Sequence, residues 1–381
     1  MNLKGGNFMR IRSSRLFVSA MLSALLMVNC VGTAFASTVC DGQIMDPAAI
    51  SQESEFSLHD IRPGSGVSEI KWLSDYHSSL KGSPADTRVY VMEGKEDGPT
   101  LLLLGGTHGN EIAGITTAIL MVERANVEVG RLLVIPVANY SASTQNLDSM
   151  RPDITEFQIE TPTGVRTFRY GGRRTNPKDQ VPDEDQFIHY PSGTVMSGSE
   201  SRNLNRVYPG KSDGTTTQQV AYAIMQIIDQ EDVDIAMDMH EAGPNSGLDY
   251  CLIANPNVVS MGALAVLELA DMGIDLALDF SNPNNIGLSH REWGDRTDVA
   301  AFLVETTNPA QEWKGLDVVP MNDGDPVGDS ENPLEKRVAV ELSTIECIFR
   351  AYEVYNGERP VLSNLPTYDE LIENGVGYYM N

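Results

Sequence analysis

Four side chains stand out as suited to metal-assisted chemistry: His108, Glu111, His240 and Glu305. His108 and Glu111 stand three apart in "LLLLGGTHGNEIAG", directly after an apolar run and two glycines. Side chains at that spacing on a helical turn can face one point. Neutral imidazole and carboxylate are both zinc ligands, and a catalytic zinc takes three protein ligands and keeps one position open. A lone H-x-x-E pair is common by chance. His240 strengthens it, because "DIAMDMHEAG" again runs an apolar strand into a histidine and turn residues. A third apolar run, "VAAFLVETTNP", carries Glu305. A carboxylate leaving a buried strand is costly unless it is paired or used. Hydrolysis by an activated water needs such a group, to take a proton and pass it to a leaving nitrogen. Glu305 is therefore the candidate general base and acid, with a buried salt bridge as the alternative.

Other polar residues suit substrate recognition. In "SRNLNRVYPG", Asn205 and Arg206 set an amide beside a planar guanidinium, a combination that fits a substrate carboxylate. "GGRRTNP" adds Arg173 and Arg174, one of which could stabilise an oxyanion formed when water attacks a carbonyl. In "LSHREWGDRT", His290 and Arg291 put positive charge into an acidic chain, which suggests a hold on a second substrate carboxylate, with Trp293 as an apolar wall. Pairing of Arg291 with Glu292 or Asp295 is the alternative.

The elements needed to position these groups follow from hydrophobic spacing. "TRVYVMEG" and "PTLLLLGG" read as strands, the second apolar on both faces as in a sheet covered on both sides. "NEIAGITTAILMVERAN" has helical spacing with Asn110 as a plausible cap, and "RLLVIPVAN" is the next strand. Strand, helix, strand is the parallel α/β unit. Tyr140 to Thr215 shows no clear periodicity, and a stretch of that length is usually functional. Beyond it, "TTQQVAYAIMQIIDQ" and "GALAVLELADMG" read as helices, "VDIAMDMHE" and "VAAFLVETT" as strands, and a long amphipathic helix closes the pattern near residue 356. The expected fold is a single α/β domain over 86–356, with a mixed, mostly parallel sheet flanked by helices. Residues 37–85 read as an irregular lead-in and 357–381 as a tail. In open sheets of this kind, ligands collect beyond the C-terminal strand ends.

Residues 1–36 stand apart. Lys4, Arg10, Arg12 and Arg15 precede an apolar run from Leu16 to Val28, and Ala34 and Ala36 form an A-x-A site. This reads as a secretory signal peptide cut after Ala36, leaving an exported chain, periplasmic or secreted, with no membrane anchor. Cleavage would leave 23 basic residues against 53 acidic ones, a net −30. So acidic a surface excludes nucleic acid as a natural partner. Cys40, Cys251 and Cys347 permit at most one disulfide and show no metal-site spacing.

In order, H-x-x-E, R-R-T, L-N-R, D-x-H and V-E resemble the motifs of the zinc carboxypeptidase superfamily, over about Arg88 to Asn308. "GGTHGNEIAG" and "DMHEAG" lean toward its succinylglutamate desuccinylase/aspartoacylase branch. The resemblance implies one zinc on His108, Glu111 and His240, Glu305 as base and acid, Arg173 polarising the carbonyl, and Asn205 with Arg206 gripping the substrate carboxylate. Three departures are visible. Asn203 stands where an aspartate usually orients a zinc histidine. Between Cys251 and Arg350 there is no tyrosine to match the one that carboxypeptidases hold over the substrate. Only 76 residues follow Glu305, which favours a plain peptidase-like core. The expected activity is zinc-dependent hydrolysis of an amide bond next to a free carboxylate, carboxypeptidase-like on small peptides or cell-wall peptides. The alternatives are an N-acyl amino acid deacylase and a non-catalytic zinc-dependent protein that binds peptide ends.

Overall fold

A computed structural model describes residues 59–244, 246–311 and 324–381. Residues 1–36, read above as an export signal, and Cys40 lie outside them.

The chain enters through an edge strand β1 (Glu69–Trp72), a single turn α1 (Leu73–Tyr76) and β2 (Arg88–Glu93). The parallel unit follows as β3 (Glu96–Leu104), α2 (Ile112–Arg124) and β4 (Asn126–Ile135). Two hairpins come next, β5 (Glu156–Thr161) with β6 (Gly164–Arg169) and β7 (Gln186–Ile188) with β8 (Val195–Ser197). Helix α3 (Thr216–Gln230) begins with a capping box in which Thr215 and Gln218 satisfy each other's backbone N–H groups. Then come β9 (Ile235–Ala242), β10 (Cys251–Ala254), α4 (Val259–Asp271), β11 (Ala277–Phe280), α5 (Ser289–Arg296) and β12 (Ala300–Thr307). Helix α6 (Leu334–Asn356), strand β13 (Val361–Ser363) and helix α7 (Tyr368–Asn374) complete the described chain.

The main sheet runs β1-β2-β4-β3-β9-β12-β10-β11, with β13 added beside β4. Its centre, β4-β3-β9-β12, is parallel, and antiparallel pairings flank it. This is the mixed α/β sheet the sequence pattern predicts. Side chains alternate between its faces with a period of two. Leu101 and Leu103 join Leu132, Val134, Met237 and Met239 on the face covered by α2 and α6, while Leu102, Leu104 and Leu133 pack under α3. Burial on both faces is why "LLLL" shows no polar alternation. Asp238, His240 and Glu305 fall on the α3 side, at the C-terminal ends of adjacent parallel strands.

Three expectations need correction. Residues 59–85 are not irregular throughout, because β1 extends the sheet edge by pairing with β2. Residues 357–381 are not a loose tail, since β13 pairs with β4 and Leu371, Val376 and Met380 are buried in the core. The aperiodic Tyr140–Thr215 segment holds two hairpins and short 3-10 turns. Cys251 and Cys347 are both buried free thiols. Among the described residues, no helix is long and apolar enough to cross a membrane.

His59 is buried beside Phe168, and burial followed by the Arg169 charge pushes its imidazole down to about 3. A folded-state value below the ordinary 6.5 means that the neutral form stabilises the fold above pH 6.5, and this is lost as pH falls toward 3. His59→Gln should therefore flatten the pH dependence of unfolding free energy in that window by about one proton. Denaturant melts at several pH values would measure it, and an unchanged slope would contradict the assignment.

Candidate active site

The turn after β3 delivers the first two candidate ligands. Gly106 adopts φ +64, a left-handed conformation that glycine accepts without strain. Glu111 N–H closes a turn on the His108 carbonyl at 3.2 Å, and α2 begins only at Ile112. His108 and Glu111 thus sit in the loop before the helix, not on its first turn, and Asn110 is not the cap. A Cβ on Gly114 would lie 2.6 Å from the Met239 carbonyl oxygen, so only glycine lets α2 approach β9 this closely.

That approach brings His240 to the same point. Glu111 lies between the two imidazoles: its Oε1 is 2.7 Å from His108 Nδ1 and its Oε2 is 2.7 Å from His240 Nδ1. All three side chains are buried, and the ligand atoms lie within 4.8 Å of one another. The outer nitrogens face acceptors. His108 Nε2 is 3.0 Å from Asn203 Oδ1, and His240 Nε2 is 2.9 Å from Asp238 Oδ2. Thr107 Oγ1 donates to the other Asp238 oxygen at 2.8 Å. The Asn203 oxygen at His108 Nε2 favours the tautomer whose Nδ1 lone pair faces the Glu111 side, while the Asp238 carboxyl beside His240 raises that imidazole's pKa. Two imidazoles and a carboxylate converging on one buried point fit a divalent cation, and this nitrogen–oxygen set suits zinc. Asn203 stands where the resemblance expects an aspartate and accepts at His108, and Asp238 lies beside the other histidine.

The electrostatics agree. Burial, reinforced by Arg173, holds the His108 imidazole down at about 4, so it is neutral. His240 behaves oppositely: burial lowers it, but Asp238 and Glu111 together raise it well above the ordinary value. Burial works against ionised Glu111, but the two histidines hold its carboxyl well below the usual range. The centre attracts positive charge, whether a proton on His240 or a metal ion.

Glu305 sits beside this centre, in register with His240 across the parallel β9–β12 pair. Burial pushes its carboxyl up to about 8, countered by His240 and raised further by Glu111. Its Oε2 is buried, and among the described residues it has no hydrogen-bond partner. A carboxyl with its pKa near neutrality and one free oxygen can both accept and return a proton.

The long aperiodic segment supplies the cations. Gly109 N–H donates to the Gly172 carbonyl at 2.7 Å and Gly171 N–H to the Gly109 carbonyl at 2.8 Å, which ties the "GGRR" turn to the metal loop. Arg173 Nη1 consequently lies 3.4 Å from Glu111 Oε1, with a third of its side chain exposed. Arg206 is close enough to Arg173 and Arg174 that burial first, then their charges, lower its pKa. Glu200, which the sequence reading missed, partly offsets this cluster. It pairs with Arg174, lies 3.9 Å from Arg206 and accepts from Asn203 Nδ2 at 2.8 Å. Its only sequence signal was its position three residues before Asn203. Asn205 is buried and its carboxamide oxygen accepts from Ser289 N–H at 2.8 Å, so only its amino end can meet a substrate.

The third proposed subsite does not form. His290 is fully buried, and burial pushes its imidazole down to about 3, so it carries no charge. Arg291 Nε pairs with Asp295 at 2.7 Å, one helical turn on, and its Nη1 donates to the Ser281 carbonyl at 3.1 Å. Trp293 is fully buried edge-on against Tyr208, with ring centroids 5.6 Å apart. Helix α5 is a packing element behind the site.

Residues 184–308 match the family model of the succinylglutamate desuccinylase/aspartoacylase catalytic domain. That span includes Asn203, Arg206, His240 and Glu305; the geometry above adds His108 and Glu111 from outside it. Over 149 residues the chain is 28% identical to N-alpha-acetyl-L-2,4-diaminobutyric acid deacetylase of Halomonas elongata, covering 39% of this chain and 30% of that protein. The structure is similar to a succinylglutamate desuccinylase/aspartoacylase of Rhodobacter sphaeroides, with TM-score 0.40, 16% identity, and coverage of 69% of this chain and 59% of that one. It is also similar to the D,L-carboxypeptidase Csd4 of Helicobacter pylori, with TM-score 0.40, 15% identity, and coverage of 72% and 56%. The chain thus spans less than two thirds of the length of each of these relatives.

Proposed function

We propose that the protein is a zinc-dependent deacylase of N-acyl amino acids, a reading supported by the match of residues 184–308 to the succinylglutamate desuccinylase/aspartoacylase catalytic domain. The carboxypeptidase reading becomes the alternative. The family match and the deacetylase relative both favour an acyl group over a peptide on the carbonyl side. Export, argued from residues 1–36, is part of the same proposal.

The single observation that carries a hydrolase is Glu305, a carboxyl raised to about 8 with a free oxygen beside a His-Glu-His centre. Zinc bound there would supply Lewis acidity and bring water's pKa toward neutrality. Glu305 takes the proton as water attacks the carbonyl, then returns it to the leaving amine. Arg173, beside Glu111, donates to the oxyanion as the carbonyl becomes tetrahedral. Arg206 and the Asn205 amino group hold the carboxylate next to the scissile amide, which sets the carbonyl in line. A pure binder of peptide ends has no use for Glu305.

Zinc-loaded protein should release amine from N-acetyl and N-succinyl amino acids faster than from dipeptides and cell-wall peptides. Faster release from peptides would restore the carboxypeptidase reading. Arg206→Ala should raise KM for substrates with a free carboxylate by about 10–100-fold, from the loss of a charge-assisted hydrogen bond. The same substrates as amides should be nearly unaffected. Equal losses on both would make Arg206 a folding residue.

A further inference from the structure

Asn308 joins the three strand ends that carry the site. It follows β12, three residues beyond Glu305, and its backbone N–H donates to the Ala242 carbonyl at the end of β9 at 2.8 Å. Its Nδ2 donates both to the Asn110 carbonyl at 3.1 Å and to Glu241 Oε2 at 3.0 Å. Its Oδ1 accepts from Ala310 N–H at 2.9 Å. Asn110 lies between His108 and Glu111, and Glu241 directly follows His240. One buried carboxamide therefore pins both ligand-bearing segments to the strand that carries Glu305.

Glu241 completes the arrangement. The oxygen that accepts from Asn308 also accepts from Ala113 N–H, in the first turn of α2, at 3.1 Å. A carboxylate suits the positive end of a helix. Its other oxygen pairs with Arg337 of α6, and both side chains are fully buried. A buried carboxylate needs such a partner to stay ionised. Arg337 is further held by the Asn332 carbonyl at 3.1 Å and by the Pro326 carbonyl. None of the three belongs to the candidate ligand set, and among the described residues their hydrogen bonds run to the backbone and to one another.

We infer that Asn308, Glu241 and Arg337 form a clamp that sets the spacing of the His108–Glu111 loop and His240, and so act as positioning residues for the metal. The inference rests on the zinc reading above. The test compares Asn308→Leu with wild type by two readouts, zinc affinity in a chelator competition and the visible absorption spectrum of the cobalt-substituted protein. Outer partners of metal ligands are typically worth ~10–100-fold in affinity. The clamp requires a loss of that order in a folded variant, with an altered cobalt spectrum and kcat falling more than KM changes. Wild-type zinc affinity and spectrum, with only a lower melting temperature, would reduce the clamp to structural packing. Should Asn308→Leu not fold, Glu241→Gln, which keeps the shape and removes the charge, is decided on the same two readouts. Wild-type protein that binds no zinc would overturn the metal reading and the clamp together.

Discussion

Glu305→Gln should bind zinc as wild type does and keep its melting temperature, yet lose about 10²–10⁴-fold in kcat, the usual cost of removing a general acid–base group. The amide keeps the shape and burial of the carboxyl but cannot take a proton. Glu305 is in register with His240 but is no part of the three-residue ligand cluster, so the metal has no reason to leave. Replacing a half-buried carboxyl whose Oε2 has no hydrogen-bond partner among the described residues also costs the fold little. Near-wild-type turnover by the variant would show that proton transfer uses another group. Loss of zinc along with turnover would mean that Glu305 belongs to the ligand set.

His240→Ala should fail differently. Two protein ligands remain, too few for a stable catalytic zinc site. The drop in zinc affinity should exceed the ~10–100-fold worth of outer partners, so the metal should dialyse away and turnover should disappear with it. The same histidine sets a pH dependence in the wild type. Asp238 and Glu111 overcome burial and raise its pKa well above 6.5, so a proton competes with zinc for Nδ1. Zinc affinity should therefore fall as pH falls, with protons released on binding. The measurement is metal content after dialysis, with zinc titrations at several pH values. Undiminished stoichiometric zinc in the variant would end the three-ligand arrangement.

The candidate ligands and the candidate base are readable in the sequence because each lies at or just beyond the end of an apolar strand. Leu101–Leu104, Ile235–Met239 and Ala300–Val304 are buried runs, and a charged or imidazole group at such an end is a departure that sequence makes visible. The contact of Asn203 with His108 is also foreshadowed by its place in "NLNR". What was not visible depends on contacts between distant residues. The link between Asn308 and Glu241 spans 67 positions and that between Glu241 and Arg337 spans 96, and no local pattern announces either. Strands β10 and β11 are four residues each, too short for an alternation to register. The hairpins of 156–197 carry exposed residues on one side and little core on the other, so their pattern was faint. His290 and Arg291 misled for a different reason. Two positive residues in an acidic chain suggest a task, but Arg291 had an acid one helical turn away and His290 had a core to enter.

The central claim is that His108, Glu111 and His240 hold one zinc with a position left open for chemistry. X-ray absorption at the zinc edge of the stoichiometrically loaded protein tests it most directly. The expected spectrum has two imidazole nitrogens at about 2.0–2.1 Å, carboxylate oxygen at about 2.0–2.2 Å and one exchangeable light-atom ligand. A sulfur shell at about 2.3 Å, a single imidazole, or four protein ligands with no exchangeable position would contradict it.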